Sequence, residues 1–329
     1  MTPQSAKKSI LNVLGKILGK RILIIGDLML DEYVFGDTNR ISPEAPVVVV
    51  EVQKKIQKAG GAANVAMNVA SLGGVALLGG IVGRDRQASQ LRRELTKQDI
   101  DIRGVLTDRS RPTTTKTRIL SRNQNLVRVD SEIRKPINSE LEKKILIWMK
   151  KNINKADGCI ITDYNKGVVT RRVASTLIDL ARRAHKPVVV DPKGTDYSKY
   201  VGATVVTPNL HEAQSLTSQS VNHQSDLVKI GKKLSRLLKG SSLLITQGEN
   251  GMTLFEPQTQ PYHITAAKRS IFDVTGAGDT VVSTLALFLA GGAKLNQAAY
   301  CSNKAAGIVV SKIGTDTVSY DELRCEINL

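Results

Sequence analysis

Aromatic side chains make up only 4% of the 329 residues, with a single Trp. That scarcity argues against a protein that stacks nucleic-acid bases on a platform of rings. Cysteine is as sparse. Cys159, Cys301 and Cys325 are an odd set of three with no CxxC spacing, which suits a reducing cytoplasmic compartment rather than a disulfide framework. The four histidines lie scattered at 185, 211, 223 and 263, so no structural zinc is expected. No stretch approaches the roughly 18 uninterrupted apolar residues of a membrane span. The apolar stretch near the start is broken by Lys16, and residues 1–20 read as a basic leader, at most a surface helix, on a chain expected to avoid membranes. Three nucleotide motifs are missing too. Gly15-Lys-Ile-Leu-Gly19-Lys20-Arg21 is one residue short of a P-loop and precedes a strand instead of following one. No Gly-x-Gly-x-x-Gly follows the first strand, against a dinucleotide-binding dehydrogenase, and the protein-kinase set is absent.

Acidic residues are outnumbered 30 to 47 by Lys and Arg, a formal charge of +17. The basic residues are spread along the chain, so nucleic acid is the minority reading, although the field would draw in phosphorylated metabolites. With 41% hydrophobic residues the chain can bury a large core. Short apolar runs, Arg21–Gly26, Gly158–Thr162, Pro187–Val190, Ala203–Thr207 and Ser242–Thr246, read as buried parallel strands. Helix-period segments lie between them: Ala62–Leu72, Gln87–Gln98, Ser139–Lys151, Arg171–Ala184 and Asp226–Lys239. The alternation predicts an α/β fold with a mostly parallel central sheet between helical layers. Asp27, Asp163, Asp191, Asn209 and Gln247 follow the strands, at the edge where open α/β sheets bind ligands; singly, each could equally be a helix cap. Val47–Val52 and Thr114–Val129 are β-branched and lack helical period. They predict a small separate sheet acting as a lid, about residues 33–58 and 111–131, or else two extra strands on the main sheet. A lid of this kind would exclude water and pair with a second subunit.

The densest chemical signal is Asp273-Val-Thr-Gly-Ala-Gly-Asp279-Thr280, directly before the apolar run Val281–Ala290. If that run is a helix, the amides of Gly276, Ala277 and Gly278 point without partners into the cleft, where the helix dipole favours an anion. Glycine lets a phosphate approach the backbone, and Asp279 can accept a proton from a hydroxyl attacking that phosphate. An ordinary glycine-rich cap with an acid in the first turn has the same pattern.

Paired with Gly60-Gly-Ala-Ala-Asn64, this segment resembles the two signatures of the ribokinase-like (PfkB) sugar kinases. Within that family the chain is most similar to bacterial members acting on D-glycero-β-D-manno-heptose 7-phosphate. The resemblance is carried by Gly26–Asp31, Arg40–Pro46, Gly60–Ala66, Ser121–Gln124, Asp163–Gly167, Asp191–Thr195, Thr207–Glu212 and Gly314-Thr315. It covers residues 21–329, read as one kinase domain, and implies a ribokinase-like three-layer sandwich with a small β lid. No residues remain for the cytidylyltransferase half found in bifunctional members, so a stand-alone kinase is expected. Pro46-Val-Val-Val49 departs from a frequent Pro-Val-Pro-Val.

The resemblance implies ATP-dependent phosphorylation of the sugar at O1 to a 1,7-bisphosphate, feeding nucleotide-activated heptose for the lipopolysaccharide inner core. Asp279 would be the base, with Gly276, Ala277 and Gly278 steadying the charge on the transferring group. Asp31, Gly60, Gly61 and Asn64 would hold the sugar, while Arg40, Lys116, Arg118, Asp163 and Lys166 would serve the phosphosugar, the cations gripping its phosphate. Asn209, Glu212, Thr246, Gly248, Gly251, Thr275 and Asn303 would hold Mg·ATP, with Glu212 acting on Mg²⁺ through water. Some family members hold a monovalent cation such as K⁺ beside the loop matching Asp273, which this sequence does not decide. A homodimer through the lid is implied. The rival readings are a related kinase of another phosphosugar and, in a different class, a non-catalytic sugar-phosphate sensor or nucleic-acid binder.

Overall fold

The computed structural model describes residues 3–122, 124–221, 223–266, 273–312 and 315–328, with side chains from residue 8. Asn123 and Gly314, both in quoted segments, lie outside the described residues. The strands are β1 (Arg21–Gly26), β2 (Leu28–Ile41), β3 (Val48–Gly61), β4 (Val75–Val82), β5 (Asp101–Thr107), β6 (Thr114–Ser121), β7 (Gln124–Ser131), β8 (Gly158–Thr162), β9 (Val188–Asp191), β10 (Val205–Val206), β11 (Ser242–Thr246), β12 (Met252–Phe255) and β13 (Tyr262–Ile264). The helices are α1 (Pro3–Lys16), α2 (Ala62–Ser71), α3 (Arg86–Thr96), α4 (Ser139–Asn152), α5 (Arg171–Arg183), α6 (Leu210–Thr217), α7 (Gln224–Leu237), α8 (Ala277–Ala290), α9 (Leu295–Val309) and α10 (Tyr320–Asn328).

Strand β1 shows how the sequence makes three layers. Its side chains alternate, Ile22 and Ile24 entering one core and Leu23 and Ile25 the other, and all four are fully buried. A strand buried on both faces must be apolar throughout, which explains the unbroken run Ile-Leu-Ile-Ile. The nine-stranded sheet runs β13-β12-β11-β10-β9-β8-β1-β4-β5; it is parallel from β11 to β5, and β12 and β13 are antiparallel. This is the mostly parallel sheet expected. Helices α1, α2, α8, α9 and α10 contribute to one core, and α4, α5 and α7 to the other. Helix α8 is buried all round from Asp279 to Phe288, as an unbroken apolar sequence predicts.

The chain reverses direction across the sheet between β1, which leads to β4, and β8, which leads to β9. Ligands of open α/β sheets bind at the strand ends outside such a reversal. A second sheet, β3-β2-β6-β7, stands over this edge, with β2 antiparallel to β3 and parallel to β6. Both Val47–Val52 and Thr114–Val129 contribute to it, and its strands begin at Leu28 and end at Gly61 and Ser131.

Four strands of the main sheet, β4, β5, β12 and β13, escape the sequence reading. β4 carries Gly79 and Gly80, which read as a break, but they are space for neighbours: a Cβ at Gly79 would meet Ile25 and Trp148, and one at Gly104 in β5 would also meet Trp148. The leader needs correction. Helix α1 is not a surface appendage, because Val13, Leu14 and Ile17 enter the same core as α8 and α10. Truncating Leu14, 1% exposed, to Ala should destabilise the protein by about 2–4 kcal/mol. Lys16→Ala on the exposed side should stay within about 0.5 kcal/mol of the parent, both variants being measured by urea titration.

Candidate active site

Gly276 caps α8 with φ of 84°, and a Cβ there would come within 3.0 Å of the Asn64 amide. Only glycine takes that left-handed corner without strain and leaves room for Asn64. The turn puts Asp279 in the first helical turn, where its carboxylate is 3% exposed. Oδ2 accepts from Asn64 Nδ2 at 2.7 Å, and Oδ1 accepts from the Tyr164 hydroxyl at 2.8 Å. Asn64, expected to hold a sugar hydroxyl, therefore already donates to the acid. Asn68 Nδ2 donates to the Asn64 carbonyl at 3.0 Å, Thr280 Oγ1 donates to Asn68 Oδ1 at 3.0 Å, and Ser283 Oγ donates to the Val65 carbonyl at 3.1 Å. The seam between α2 and α8 is thus polar and paired, so it holds one geometry. Burial pushes the Asp279 carboxyl up to about 6, opposed by the bonds from Asn64 and Tyr164; the nearby Asp31 charge raises it and Lys193 lowers it.

Two joined cavities open at this helix start. The larger, about 480 Å³, is lined by Thr246, Gly248, Gly251 and Asn303 and by apolar side chains including Met252, Val274, Val281 and Val310. Asn303 Nδ2 donates to the Thr265 carbonyl at 2.8 Å at its wall. The smaller, about 190 Å³, is polar: Tyr164, Asp191, Lys193, Thr207, Asn209 and Glu212 face Gly276, Gly278 and Asp279. Thr246, Gly278 and Val281 line both. Asn209 and Glu212 form a reciprocal capping box on α6, Asn209 Oδ1 accepting from the Glu212 amide and Glu212 Oε2 from the Asn209 amide, each at 2.8 Å. The capping interpretation therefore holds alongside their place in the cavity wall, and the other Glu212 oxygen pairs with Lys193. Burial and the charges of Asp279 and Glu212 hold the Asp191 carboxyl well above the usual range. The Thr275 amide donates to Asp273 Oδ1 at 2.9 Å within the turn.

The lid contributes a charged face. Asp31, 3% exposed, accepts from Arg118 Nη1 at 2.6 Å, and the Arg118 guanidinium lies 5.2 Å from the centre of the Tyr33 ring. Gly60 is required beside it, since a Cβ there would strike the Asp31 carboxylate; one at Gly61, with φ of 56°, would strike the Asp27 carbonyl at 2.5 Å. Gly61 thus answers to backbone packing. Lys116 is opposite Asp31 in register, and burial followed by the Lys166 charge holds its ammonium below the usual lysine range. Lys166 Nζ pairs with Glu132 at 2.6 Å.

Two expected phosphosugar residues are not gathered here. Arg40 lies nine residues beyond Asp31 on β2, about 30 Å along an extended strand, where it is exposed and pairs with Glu51 at 3.3 Å. Asp163 is committed to structure: its carboxylate accepts from the Tyr200 hydroxyl at 2.6 Å and the Asn165 amide at 2.8 Å, and it pairs with Lys199. Asp27 is likewise a brace, accepting from the amides of Tyr164, Lys166 and Val168 at 2.8–3.1 Å. Its carboxyl is pushed up to about 6 by burial and the Asp163 charge. Tyr164 and Lys193 were missed, although both fall inside the quoted segments Asp163–Gly167 and Asp191–Thr195. The only signal was that residence, because their partners are distant in sequence.

Asp279 should ionise as pH rises through about 6. Tyr164→Phe removes a donor to the charged form and should raise that midpoint by about one pH unit. Titration of the carboxyl carbons in Asp-labelled protein by NMR, with Asp279→Asn identifying the resonance, checks both values.

Comparison with known proteins places this geometry. The profile of the pfkB family carbohydrate kinases matches residues 20–322. The chain is 43% identical over 307 residues to the bifunctional protein HldE of Desulfatibacillum aliphaticivorans, and 46% identical over 308 to that of Haemophilus influenzae strain PittGG. These alignments cover 93% and 94% of this chain, and the chain spans 63% of the length of each relative. Among solved structures, Arabidopsis thaliana ribokinase complexed with ribose and ATP superposes with a TM-score of 0.75 at 17% identity, covering 95% of this chain and 99% of that one. Escherichia coli phosphofructokinase-2 in complex with potassium gives 0.74 at 17%, covering 94% and 99%. The fold is therefore ribokinase-like. A profile that runs from β1 into α10, together with relatives above 40% identity, leaves little of the architecture unaccounted for: this chain belongs to the pfkB family of carbohydrate kinases.

Proposed function

We propose that the protein transfers the γ-phosphoryl group of ATP to the anomeric hydroxyl of D-glycero-β-D-manno-heptose 7-phosphate, giving the 1,7-bisphosphate. One observation carries the kinase reading. An apolar chamber of nucleoside size merges with a polar chamber that ends on the α8 amides and Asp279. Thr246, Gly248, Gly251 and Asn303 line the volume available to adenosine. Gly276 and Gly278 border the polar chamber available to the terminal phosphates, whereas the Ala277 amide, expected to be free, donates to the Val274 carbonyl at 3.2 Å. Asp279, whose carboxyl feels the Asp31 charge, takes the hydroxyl proton as the sugar oxygen bonds to Pγ; the Pγ–O bond to ADP breaks, and its electron pair leaves with ADP. Asn64 and Tyr164 hold both carboxylate oxygens in place as this happens. The heptose 7-phosphate assignment is supported by the resemblance of the quoted segments and by identity above 40% to the HldE proteins. A phosphorylated sugar also suits the lid, where Arg118 pairs with Asp31, Lys116 lies opposite Asp31 in register, and Lys116 feels the charge of Lys166. Such a product would supply nucleotide-activated heptose for a lipopolysaccharide inner core.

The polar chamber fits a magnesium ion. Among the described residues no group of three or more His, Cys, Asp and Glu could enclose a metal, whereas Asp191 and Glu212 offer carboxylate oxygens in the cavity. A hard cation that keeps its waters and leans on substrate phosphates needs no more than one or two carboxylates. Asp191 would hold it, and Glu212 would do so through water; when bound, it would neutralise phosphate charge. The monovalent-cation expectation concerns the turn at Asp273, which residues 267–272 precede outside the described residues. No helix among the described residues is long and apolar enough to cross a membrane, and the three cysteines are free thiols.

The lid also supports a homodimer. Ile41, Val47, Val48, Val52, Leu126, Val127 and Val129, each 46–69% exposed, all lie on or beside this second sheet. A monomer rarely leaves such an apolar face open to water.

In a coupled ADP-release assay over a phosphosugar panel, heptose 7-phosphate should give the highest kcat/KM; indifference to it would favour a related phosphosugar kinase. Asp279→Asn should lower kcat by about 10²–10⁴-fold while nucleotide still binds by calorimetry, and a variant as fast as the parent would end the mechanism. Val127→Lys should move the protein from dimer to monomer in size-exclusion light scattering.

A further inference from the structure

Among the described residues lining the two chambers, Lys193 is the only one that carries a positive charge. It is held in an unusual place. Its ammonium pairs with Glu212, the acid that also caps α6, and lies 6.0 Å from the centre of the Tyr164 ring, whose hydroxyl holds Asp279. The side chain is 38% exposed and faces the polar chamber. Lys193 follows β9 by two residues, past Asp191, so a rigid strand end fixes its base while a long stem leaves the ammonium able to turn. A transferring phosphoryl group spreads negative charge over oxygens that need cationic partners, and amides alone supply only partial charges.

We propose that Lys193 is a catalytic residue of the phosphoryl transfer: in the nucleotide-free protein its ammonium is parked on Glu212, and with ATP bound it turns to the γ-phosphoryl oxygens. The exchange has two effects. The departing phosphoryl gains a full positive charge on the side away from the α8 amides, and the Glu212 oxygen that Lys193 had occupied is released to the polar chamber. Lys193 keeps its proton throughout, since the hydroxyl proton goes to Asp279. This assignment rests on the kinase reading above.

Nucleotide affinity separates the two. Calorimetry on the full chain with magnesium present should show that Lys193→Met lowers the ratio of affinities for a non-hydrolysable ATP analogue and for ADP by about tenfold or more. Lys193→Arg should keep most of that ratio, and Lys193→Gln serves as a second neutral variant should the Met variant melt early by circular dichroism. In the ADP-release assay Lys193→Met should lose about 10²–10³-fold in kcat, with the KM for the phosphosugar changed less than threefold. A ratio within twofold of the parent in a folded neutral variant overturns the assignment and leaves the kinase reading standing. A parent chain that binds neither nucleotide overturns both.

Discussion

The organisation of the cleft depends on how one buried carboxylate is held. Asp279 sits at the start of a helix that is apolar on every side, and without partners its charge would be costly to keep ionised there. Asn64 and Tyr164 donate one bond to each oxygen. Asn64 comes from the first turn of α2, and Tyr164 from the loop after β8, which Asp27 fastens by three amides. The carboxylate is therefore the meeting point of the first strand, the glycine-rich start of α2 and the late helix α8. Its orientation is as fixed as the packing of those elements, which is what a base acting on a weakly acidic hydroxyl requires.

Much of the fold was legible in the sequence because its strands are buried on both faces. Strands β1, β8 and β11 have the bounds their apolar runs indicate, and the helical segments differ by a few residues at their ends, where fraying and caps blur the limit. What could not be read is where packing overrides local pattern. The glycines of β4 look like a turn until Trp148 and Ile25 are seen to crowd Gly79, and Leu28 and the Gly26 carbonyl to crowd Gly80. Helix α9, rich in alanine and buried along much of its length, has no strong polar face to give it away. Helix α1 looked like a solvated leader because Lys residues surround the few side chains, Val13 and Leu14 among them, that reach the core.

The candidate site was legible by segment more than by residue. The Gly-Ala-Gly-Asp turn, the double glycine and the Asn-x-x-Glu pair all lie at the cleft, because each is a short backbone device whose residues act on one another locally. Long side chains were another matter. Arg40 belongs to a quoted segment but reaches outward from the far part of β2, and the Asp163 charge is spent on Lys199 and Tyr200. Tyr164 sits 115 residues from its partner Asp279, and no periodicity or spacing announces a contact of that kind.

The way the lid is rooted has a mechanical consequence. Asp27 alone separates β1 from β2, and β3 runs directly into α2 at Gly61, so two adjacent lid strands are clamped at the same end, beside Asp31. Such a cantilever is stiffest at its base and most compliant at its tip, with deflection growing toward Ile41 and Val48. Polar groups that must keep register with a reacting atom occupy the stiff end, while the pliable end carries the greasy residues that another surface could brace.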